Sequence, residues 1–515
     1  MTSERAPEVP AGPGSPGPGS PGSPGLGPWA AAALVFGSSA SVLVVELAAL
    51  RLLAPYLGLT LETSTLVIGM ALTAIAVGSW AGGRAADMMS PRRALGSLLA
   101  ASGVAVAATP FLVRSVAASG DQALTLLVAS SAIFVPGAAL SAVTPMVTKL
   151  RLTSLEETGT VVGRLSAIGT AGAIAGTVLT GFVLISALRV STILVGLGVA
   201  LLLVSVLVEL RIRGWRTAVV PAVLVALGGL GAYVAPGGCD VETTYHCAAV
   251  DEDPARPSGR LLRLDNLRHS YVDLADPTHL EFAYVQAIAA VIDSAYPEGA
   301  PLRAYHLGGG GLTLPRYLDA TRPGTDSLVS EIDPGVLAVD RERLGLDDLG
   351  DTDGAGIEVR VEDARLGAAA LPDGSRDLVV GDAFGGVSVP WHLTTREAMG
   401  EVRRALAPDG LYVANLIDHE PLAFVRAELA TLADLYDEVL LLARPGPSGP
   451  AGGNVVVVAT DRTLDVAALE RLLAARSPTW RVYTEDFLDR WVAGSPVLRD
   501  DYAPVDQLLT PYPPL

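Results

Sequence analysis

The sequence predicts an α-helical membrane domain of about seven transmembrane helices, followed by an α/β Rossmann-like domain with a small N-terminal β subdomain. Half of the 515 residues are hydrophobic and only 17% are charged, and the mean hydropathy is +0.43. This composition is too apolar for a single water-soluble globule. Beyond residue 303, short apolar runs alternate with helical segments, which is typical of a doubly wound sheet. The runs are Ala304 to Leu307, Ser327 to Ile332, Ile357 to Val361, Asp377 to Val380, Leu411 to Leu416 and Asn454 to Ala459.

Apolar windows in the first half of the chain are long enough to cross a bilayer, which takes about 20 residues. They lie near Trp29 to Leu53, Ser64 to Gly82, Leu95 to Val113, Ala123 to Val147, Leu165 to Leu188, Thr192 to Val208 and Ala218 to Val234. We therefore expect a disordered Pro/Gly/Ser tail at 1–28, a membrane domain at 29–236, a β subdomain with a connecting helix at 237–302 and the Rossmann-like domain at 303–515.

The basic residues predict the orientation of the helices, because short cytoplasmic loops retain lysine and arginine. The loops after helices one, three and five carry only Arg114 and Arg189. The loops after helices two, four and six carry Arg84, Arg92, Arg93, Lys149, Arg151, Arg164, Arg211, Arg213 and Arg216. A multi-pass protein of the cell membrane with a cytoplasmic N-terminus follows, and seven crossings place the C-terminal domain outside the cytoplasm.

Three features of the predicted membrane domain differ from its leucine and alanine background. The segment from Gly78 to Arg93 resembles the loop signature of major facilitator transporters. Gly172 and Gly176 form a close-packing motif that allows another backbone to approach. Glu46 lies within the first helix, where a carboxylate is costly unless it is paired or faces a cavity. Both a functional role and a structural interhelical bond are open for Glu46.

Cys239 and Cys247 follow the last predicted helix and are the two cysteines of the chain. A disulfide is expected if this segment faces an oxidising compartment, and two free thiols are the alternative. His246 is adjacent, but two thiols and one histidine are a poor ligand set, so no metal site is predicted.

The glycines from Gly308 to Gly311 follow an apolar run, and Glu331 ends the next apolar run. A glycine-rich turn followed about 20 residues later by an acidic residue is how a Rossmann-like sheet holds a nucleoside. We therefore predict a site for an adenosine-type molecule. Further along, Thr394 and Glu397 have the spacing of a capping box at a helix start.

The soluble part resembles the spermidine synthases, which are polyamine aminopropyltransferases, and the whole chain resembles their membrane-bound branch, in which a transporter-like region precedes such a domain. The resemblance covers roughly residues 240 to 440. It rests on the order and spacing of Tyr245-His246, Leu264 to Asn266, Phe282 to Tyr284, Gly308 to Gly311, Glu331 to Pro334, Asp363-Ala364, Asp382 and Pro390 to Thr395.

This resemblance implies roles for individual residues. Asp382 matches the proton acceptor, and Tyr284 would contact the acceptor amine. Glu331 would bind the ribose hydroxyls, and Asp363 with Ala364 would receive the adenine edge. The remaining donor-binding positions are His246, His269, Gly308, Gly309, Gly310 and Pro390. His246 and His269 stand where the family usually has glutamines, and Gly311 and Gly385 stand where it has aspartates that hold the amine.

The resemblance implies an integral membrane transferase that moves an aminopropyl group from decarboxylated S-adenosylmethionine to an amine such as putrescine and releases methylthioadenosine. The donor is a co-substrate, so no permanently bound cofactor is expected. A non-catalytic sensor of nucleosides or polyamines, and an S-adenosylmethionine methyltransferase, are the alternatives. The expected partners are these small molecules and the lipid bilayer, and no nucleic acid is expected to bind. Whether the chain forms a homo-oligomer is left open.

Overall fold

The computed structural model describes residues 26–57, 61–117, 122–152, 158–212, 219, 223, 239–265, 267–346 and 356–510. Most of the predicted tail at 1–28, nearly all of the seventh apolar window from Ala218 to Val234, and Asn266 lie outside these residues.

The first half of the described chain is helical. Its helices are α1 (Pro28–Leu57), α2 (Leu61–Met88), α3 (Pro91–Ala117), α4 (Gln122–Ser141), α5 (Val143–Arg151), α6 (Thr158–Leu179), α7 (Ile185–Ala187) and α8 (Val190–Ile212), with a π-helical turn at Thr180–Leu184 between α6 and α7. Among the described residues, six helical segments are long and apolar enough to cross a membrane. They coincide with the first six predicted windows, and the count of seven is not established.

Small residues bring the helices of this bundle into close contact. A Cβ atom added at Gly172 or Gly176 of α6 would collide with the backbone carbonyls of Phe36 and Ala40 on α1. The predicted close packing at these glycines is therefore confirmed. Glu46, also on α1, is buried.

A four-stranded antiparallel sheet follows, in the order β1 (Val241–Glu242), β2 (Cys247–Asp253), β3 (Arg256–Leu264) and β4 (Leu267–Asp273). It lies where the sequence predicts short strands and turns. Cys239 and Cys247 are disulfide-bonded, which closes the loop that leads into β2.

The main sheet has eight strands in the spatial order β14-β10-β13-β9-β8-β5-β6-β7. Five strands are parallel neighbours: β5 (Arg303–Leu307), β6 (Asp326–Glu331), β7 (Gly356–Val361), β8 (Arg376–Gly381) and β9 (Leu406–Asp418). The antiparallel strands β10 (Glu438–Ala443), β13 (Gly453–Thr460) and β14 (Arg481–Tyr483) complete one side. A short hairpin of β11 (Pro445–Gly446) and β12 (Gly449–Pro450) lies between β10 and β13.

Helices connect and flank the strands of this sheet. They are α9 (Ala283–Ala295), α10 (Thr313–Thr321), α11 (Pro334–Arg343), α12 (Ala364–Ala370), α13 (Arg396–Ala405), α14 (Ala423–Ala433), α15 (Val466–Arg476), α16 (Glu485–Trp491) and α17 (Val505–Leu508), and a 3₁₀ turn spans Trp391–Leu393. The strand order reverses at β5, between β6 and β8. Ligands of open α/β sheets bind at such a switch point, outside the carboxyl ends of the strands.

The predicted capping box at Thr394 and Glu397 is wrong by one residue. The N-cap of α13 is Thr395, whose hydroxyl accepts a hydrogen bond from the N–H of Ala398. The hydroxyl of Thr394 instead donates to the carbonyl of Trp391 in the preceding 3₁₀ turn, and Glu397 accepts from the N–H of Asp500. The local pattern predicted the helix start to within one residue, but the side chain of Thr394 bonds to the preceding 3₁₀ turn instead of capping the helix.

Residues 242–245, which comprise the end of β1 and the turn after it, contact the ends of three helices of the N-terminal half. Glu242 forms a 2.7 Å ion pair with Arg114, near the end of α3, and accepts from the N–H of Val190 at the start of α8. Arg51, near the end of α1, donates to the carbonyl oxygen of Thr243 at 2.7 Å. These contacts join the two halves of the molecule.

Candidate functional site

Nine of the predicted site residues line one pocket at the carboxyl ends of β5, β6 and β8: His246, His269, Gly308, Gly309, Glu331, Asp363, Ala364, Asp382 and Pro390. The other two, Gly310 and Tyr284, line an adjoining cavity that also contains Gly308, Gly309 and Asp382. Residues far apart in the chain therefore meet because β5 lies between β6 and β8.

The glycine turn after β5 leaves no room for side chains. Gly308 has a φ of +100°, and a Cβ atom there would lie 2.5 Å from the carbonyl oxygen of Asp382. At Gly310, an added Cβ would lie 2.6 Å from the ring of His269. Only glycine adopts this φ readily and allows such an approach.

Glu331, the last residue of β6, is held by backbone donors. Its Oε2 accepts from the N–H of Gly309 at 2.8 Å, and its Oε1 accepts from the N–H of Asp333 at 2.8 Å. Burial raises the pKa of Glu331, and these two hydrogen bonds oppose the rise. The carboxylate is therefore fixed in place between the glycine turn and α11, with its remaining lone pairs available to a ligand.

Asp363 has structural contacts as well as a place in the pocket. Its side chain caps α12 by accepting from the N–H of Arg365 at 2.8 Å, and its Oδ2 lies 3.2 Å from Nε2 of His392. His392 lines the same pocket. The helix capping alone accounts for an aspartate at this position, so a ligand role for Asp363 stays a prediction.

The β subdomain contributes two histidines to the pocket. Nδ1 of His246 lies 3.0 Å from Oδ2 of Asp265. Burial, followed by the charge of His246, lowers the pKa of His269 to about 4. His269 is therefore neutral near pH 7 and presents one ring donor and one ring acceptor.

Asp382, immediately after β8, lines both the pocket and a wider neighbouring cleft. It accepts hydrogen bonds from the Tyr284 hydroxyl at 3.2 Å and from Nδ2 of Asn415 at 2.9 Å. Burial raises its pKa to about 6, although both hydrogen bonds lower it. The side chain can thus take up a proton near neutral pH.

Sequence reasoning missed Asn415 on β9 and Asn454 on β13. Nδ2 of Asn454 donates to Oδ1 of Asn415 at 3.0 Å, so the two amides form a chain that ends at Asp382. Asn415 interrupts the apolar run of β9, and Asn454 lies directly before that of β13. A polar residue in a central strand is the signal that could have located them. Among the described residues, no group of three or more His, Cys, Asp or Glu side chains could hold a metal ion.

Comparison with known proteins gives two significant relatives. The chain is 30% identical over 146 residues to the polyamine aminopropyltransferase of Chromobacterium violaceum, covering 28% of this chain and 53% of that protein. It is 30% identical over 177 residues to the polyamine aminopropyltransferase of Vibrio vulnificus, covering 33% of this chain and 54% of that protein. The chain is therefore similar in sequence to polyamine aminopropyltransferases over about a third of its length. The chain spans about half the length of the curated relatives it matches.

Solved structures that the chain matches include a probable spermidine synthase from Corynebacterium glutamicum, with 28% identity and a TM-score of 0.46 over 50% of this chain and 95% of that one. A spermidine synthase in complex with the transition-state analogue AdoDATO is 17% identical, with a TM-score of 0.34 over 50% of this chain and 83% of that one. No protein-family model matches the chain.

Proposed function

We propose that this protein is an integral membrane aminopropyltransferase-like enzyme. It transfers an aminopropyl group from decarboxylated S-adenosylmethionine to an amine and releases methylthioadenosine. Similarity to polyamine aminopropyltransferases supports the reaction class. The observation that carries the proposal is the position of Asp382, which lines both the pocket of the glycine turn and the wider cleft beside it.

In this proposal the pocket holds the nucleoside. Glu331 accepts hydrogen bonds from the ribose hydroxyls, while the glycine turn allows the backbone to approach the ligand. Asp363, Ala364 and Pro390 contact the base from the opposite side. Neutral His269, together with the ring of His246, supplies hydrogen-bonding groups to the ligand.

The chemistry then requires one proton acceptor. The amine nitrogen attacks the propyl carbon next to the sulfonium, a C–N bond forms, and the C–S electron pair returns to sulfur. Methylthioadenosine leaves as a neutral thioether, so no acid is needed. Asp382, with a pKa that burial raises to about 6, accepts the proton that the amine loses.

We further propose that the apolar helices span the membrane and that the soluble domain lies on the side opposite the arginine-rich loops. Helix ends with few basic residues, near Arg51, Arg114 and Val190, contact residues 242–245 of the soluble part. The ends of α2 and α5, where Asp87 pairs with Lys149, lie at the other side of the bundle. The positive-inside rule then assigns the soluble domain to the outer side.

Purified full-length protein tests the enzymatic proposal. It is incubated with decarboxylated S-adenosylmethionine and a panel of amines, and products are identified by mass spectrometry. Formation of methylthioadenosine with an aminopropylated amine supports the proposal. Formation of S-adenosylhomocysteine from S-adenosylmethionine selects a methyltransferase, and nucleoside binding without turnover selects a sensor. A C-terminal reporter active on only one side of the membrane tests the orientation.

One observation favours the sensor as a second candidate function. A hydrogen-bonded chain connects helix α1 with the nucleoside pocket. Arg51 donates to the carbonyl of Thr243, and the Thr243 hydroxyl donates to Asp333. The N–H of Asp333 donates to Oε1 of Glu331 at 2.8 Å. A ligand at Glu331 can therefore influence helix α1 if the protein has one conformation with these hydrogen bonds and one without them, and if the ligand binds the two with different affinities.

The matched variants Arg51→Gln and Arg343→Gln test this second function. Arg51 contacts Thr243, after β1, from the membrane domain, whereas Arg343 pairs with Asp240, before β1, from within the soluble domain. If the sensor function holds, only Arg51→Gln changes the affinity for methylthioadenosine, measured by calorimetry in detergent. Equal affinities in both variants and the unmodified protein would exclude the coupling.

A further inference from the structure

The cleft beside the nucleoside pocket is the largest of the three cavities that meet at Asp382, at about 620 Å³. It shares His269, Tyr284 and Asp382 with the site described above. Its outer walls come from β4, the start of α9, the end of β10 and the region around Trp480. Because Asp382 lies where the cleft meets the pocket, an acceptor that reacts there must occupy this cleft.

The charged lining of the cleft is mixed in sign. Arg268 and Arg444 contribute two guanidinium groups, and Glu281 and Asp382 contribute two carboxylates. Glu281 lies 3.4 Å from Nε2 of His279, and Asp382 is the proton acceptor of the proposed function. A diamine with two ammonium groups would therefore meet as many positive as negative side chains.

Both arginines are available to a ligand. Within the described part of the chain, neither forms an ion pair. Arg444 donates to the carbonyl oxygen of Gly452 at 3.2 Å. The guanidinium of Arg268 lies 5.2 Å from the centre of the Phe282 ring, which holds it beside the cleft. A guanidinium has five N–H donors in a planar fork that matches a carboxylate or a phosphate.

We propose that the acceptor substrate is an amine that also carries an anionic group. Its amine nitrogen binds next to Asp382, and its carboxylate or phosphate binds to Arg268 and Arg444. This inference rests on the proposed aminopropyl transfer and specifies its acceptor class. The reaction itself is unchanged: the C–N bond forms, the C–S bond breaks, and the amine proton passes to Asp382.

A matched pair of acceptors tests the proposal: 1,4-diaminobutane, with an ammonium at each end, and 4-aminobutanoate, which replaces one ammonium by a carboxylate on a chain of similar length. Turnover of decarboxylated S-adenosylmethionine and calorimetric binding to the methylthioadenosine complex are both measured. We expect the catalytic efficiency and the affinity to be about tenfold higher with 4-aminobutanoate, because charge-assisted pairing with guanidinium is available only to its carboxylate.

The variants Arg268→Gln and Arg444→Gln identify the subsite. Both should reduce the catalytic efficiency with 4-aminobutanoate about tenfold. Neither should reduce the efficiency with 1,4-diaminobutane, because removing a guanidinium from the cleft relieves repulsion of the second ammonium group. Tighter binding of the diamine, or equal losses for both acceptors in the variants, would overturn the inference while leaving aminopropyl transfer intact. Failure of methylthioadenosine to bind at all would overturn the proposed function as well, so the two failures are distinguishable.

Discussion

The side-chain amide of Asn415 donates a 2.9 Å hydrogen bond to Oδ1 of Asp382. Strands β8 and β9 are parallel neighbours, and this places the amide of one beside the carboxylate that follows the other. The bond lowers the pKa of Asp382 against the larger effect of burial, which raises it to about 6. Asn415 therefore tunes the proposed proton acceptor.

Replacing Asn415 with alanine should move the acidic limb of the pH–rate profile upward. Loss of a donor to the charged carboxylate raises the pKa of Asp382 by roughly half to one unit. The measurement is methylthioadenosine formation between pH 5 and 9. Asn454→Ala is the control, because Asn454 contacts Asn415 but not Asp382, and its shift should be smaller. Identical profiles for all three proteins would contradict a tuning role.

The raised pKa of Asp382 also predicts a pH-dependent stability. Its native pKa of about 6 exceeds the ordinary value of 3.8, so the native state holds the proton more tightly than the unfolded state. The wild-type protein therefore loses stability as the pH rises from about 4 to 6, and its stability remains at the lower level above pH 6. Asp382→Asn avoids this loss. Its free energy of unfolding at pH 7.5 should exceed that of the wild-type protein by roughly 1–2 kcal/mol, after allowance for partial exposure of the side chain.

Thermal unfolding in detergent at pH 4, 6 and 7.5 measures this gain. The advantage of Asp382→Asn should be small at pH 4 and full at pH 7.5. Asp409→Asn, at an exposed position on β9, controls for the general effect of removing a negative charge. An advantage that is independent of pH would show that titration of Asp382 is not its cause.

Gly308→Ala should abolish nucleoside binding and destabilise the fold. The added Cβ would meet the carbonyl oxygen of Asp382 at 2.5 Å, in addition to the strain of a φ of +100°. Gly374→Ala is the matched control, because Gly374 has a φ of +62° and nothing lies within 4 Å of the added atom. The control should lose about 1 kcal/mol from backbone strain alone. Chemical unfolding measures the free energy of unfolding of both variants. Comparable losses would show that the close contact between residue 308 and the carbonyl oxygen of Asp382 has no specific effect.

Glu331→Gln should weaken methylthioadenosine binding roughly 10- to 100-fold, because hydrogen bonds to a charged group contribute about 1.5–3 kcal/mol. Glutamine also has a single acceptor oxygen, so its amide nitrogen cannot accept from one of the two backbone N–H groups that hold Glu331. Calorimetry on the full-length protein measures the affinity. Glu358→Gln, in an exposed ion pair with Arg360 on β7, should bind normally. If Glu331→Gln bound methylthioadenosine with unchanged affinity, Glu331 would not bind the ribose hydroxyls.

Much of the architecture could be predicted from local patterns in the sequence. Apolar runs of about 20 residues indicated the six described long helices, and shorter runs indicated β5 to β9 and β13, because burial in lipid or in a sheet requires continuous apolar side chains. Glycines and carboxylates at the ends of those runs indicated where a nucleoside would bind. Strand β14 was not predicted because its three residues are too few to form an apolar run, and β10 was missed although Val439 to Ala443 form one.

Only the tertiary structure decided which polar groups meet in the site. Asn415 and Asn454 belong to apolar strands, and their link to Asp382 depends on the lateral order of β8, β9 and β13. The two arginines of the cleft, Arg268 and Arg444, come from different parts of the fold, one on β4 and the other just after β10. Local sequence determines which segments are buried and where the chain turns, because those depend on neighbouring residues. Which side chains share a cavity depends on long-range packing, which a single sequence does not display.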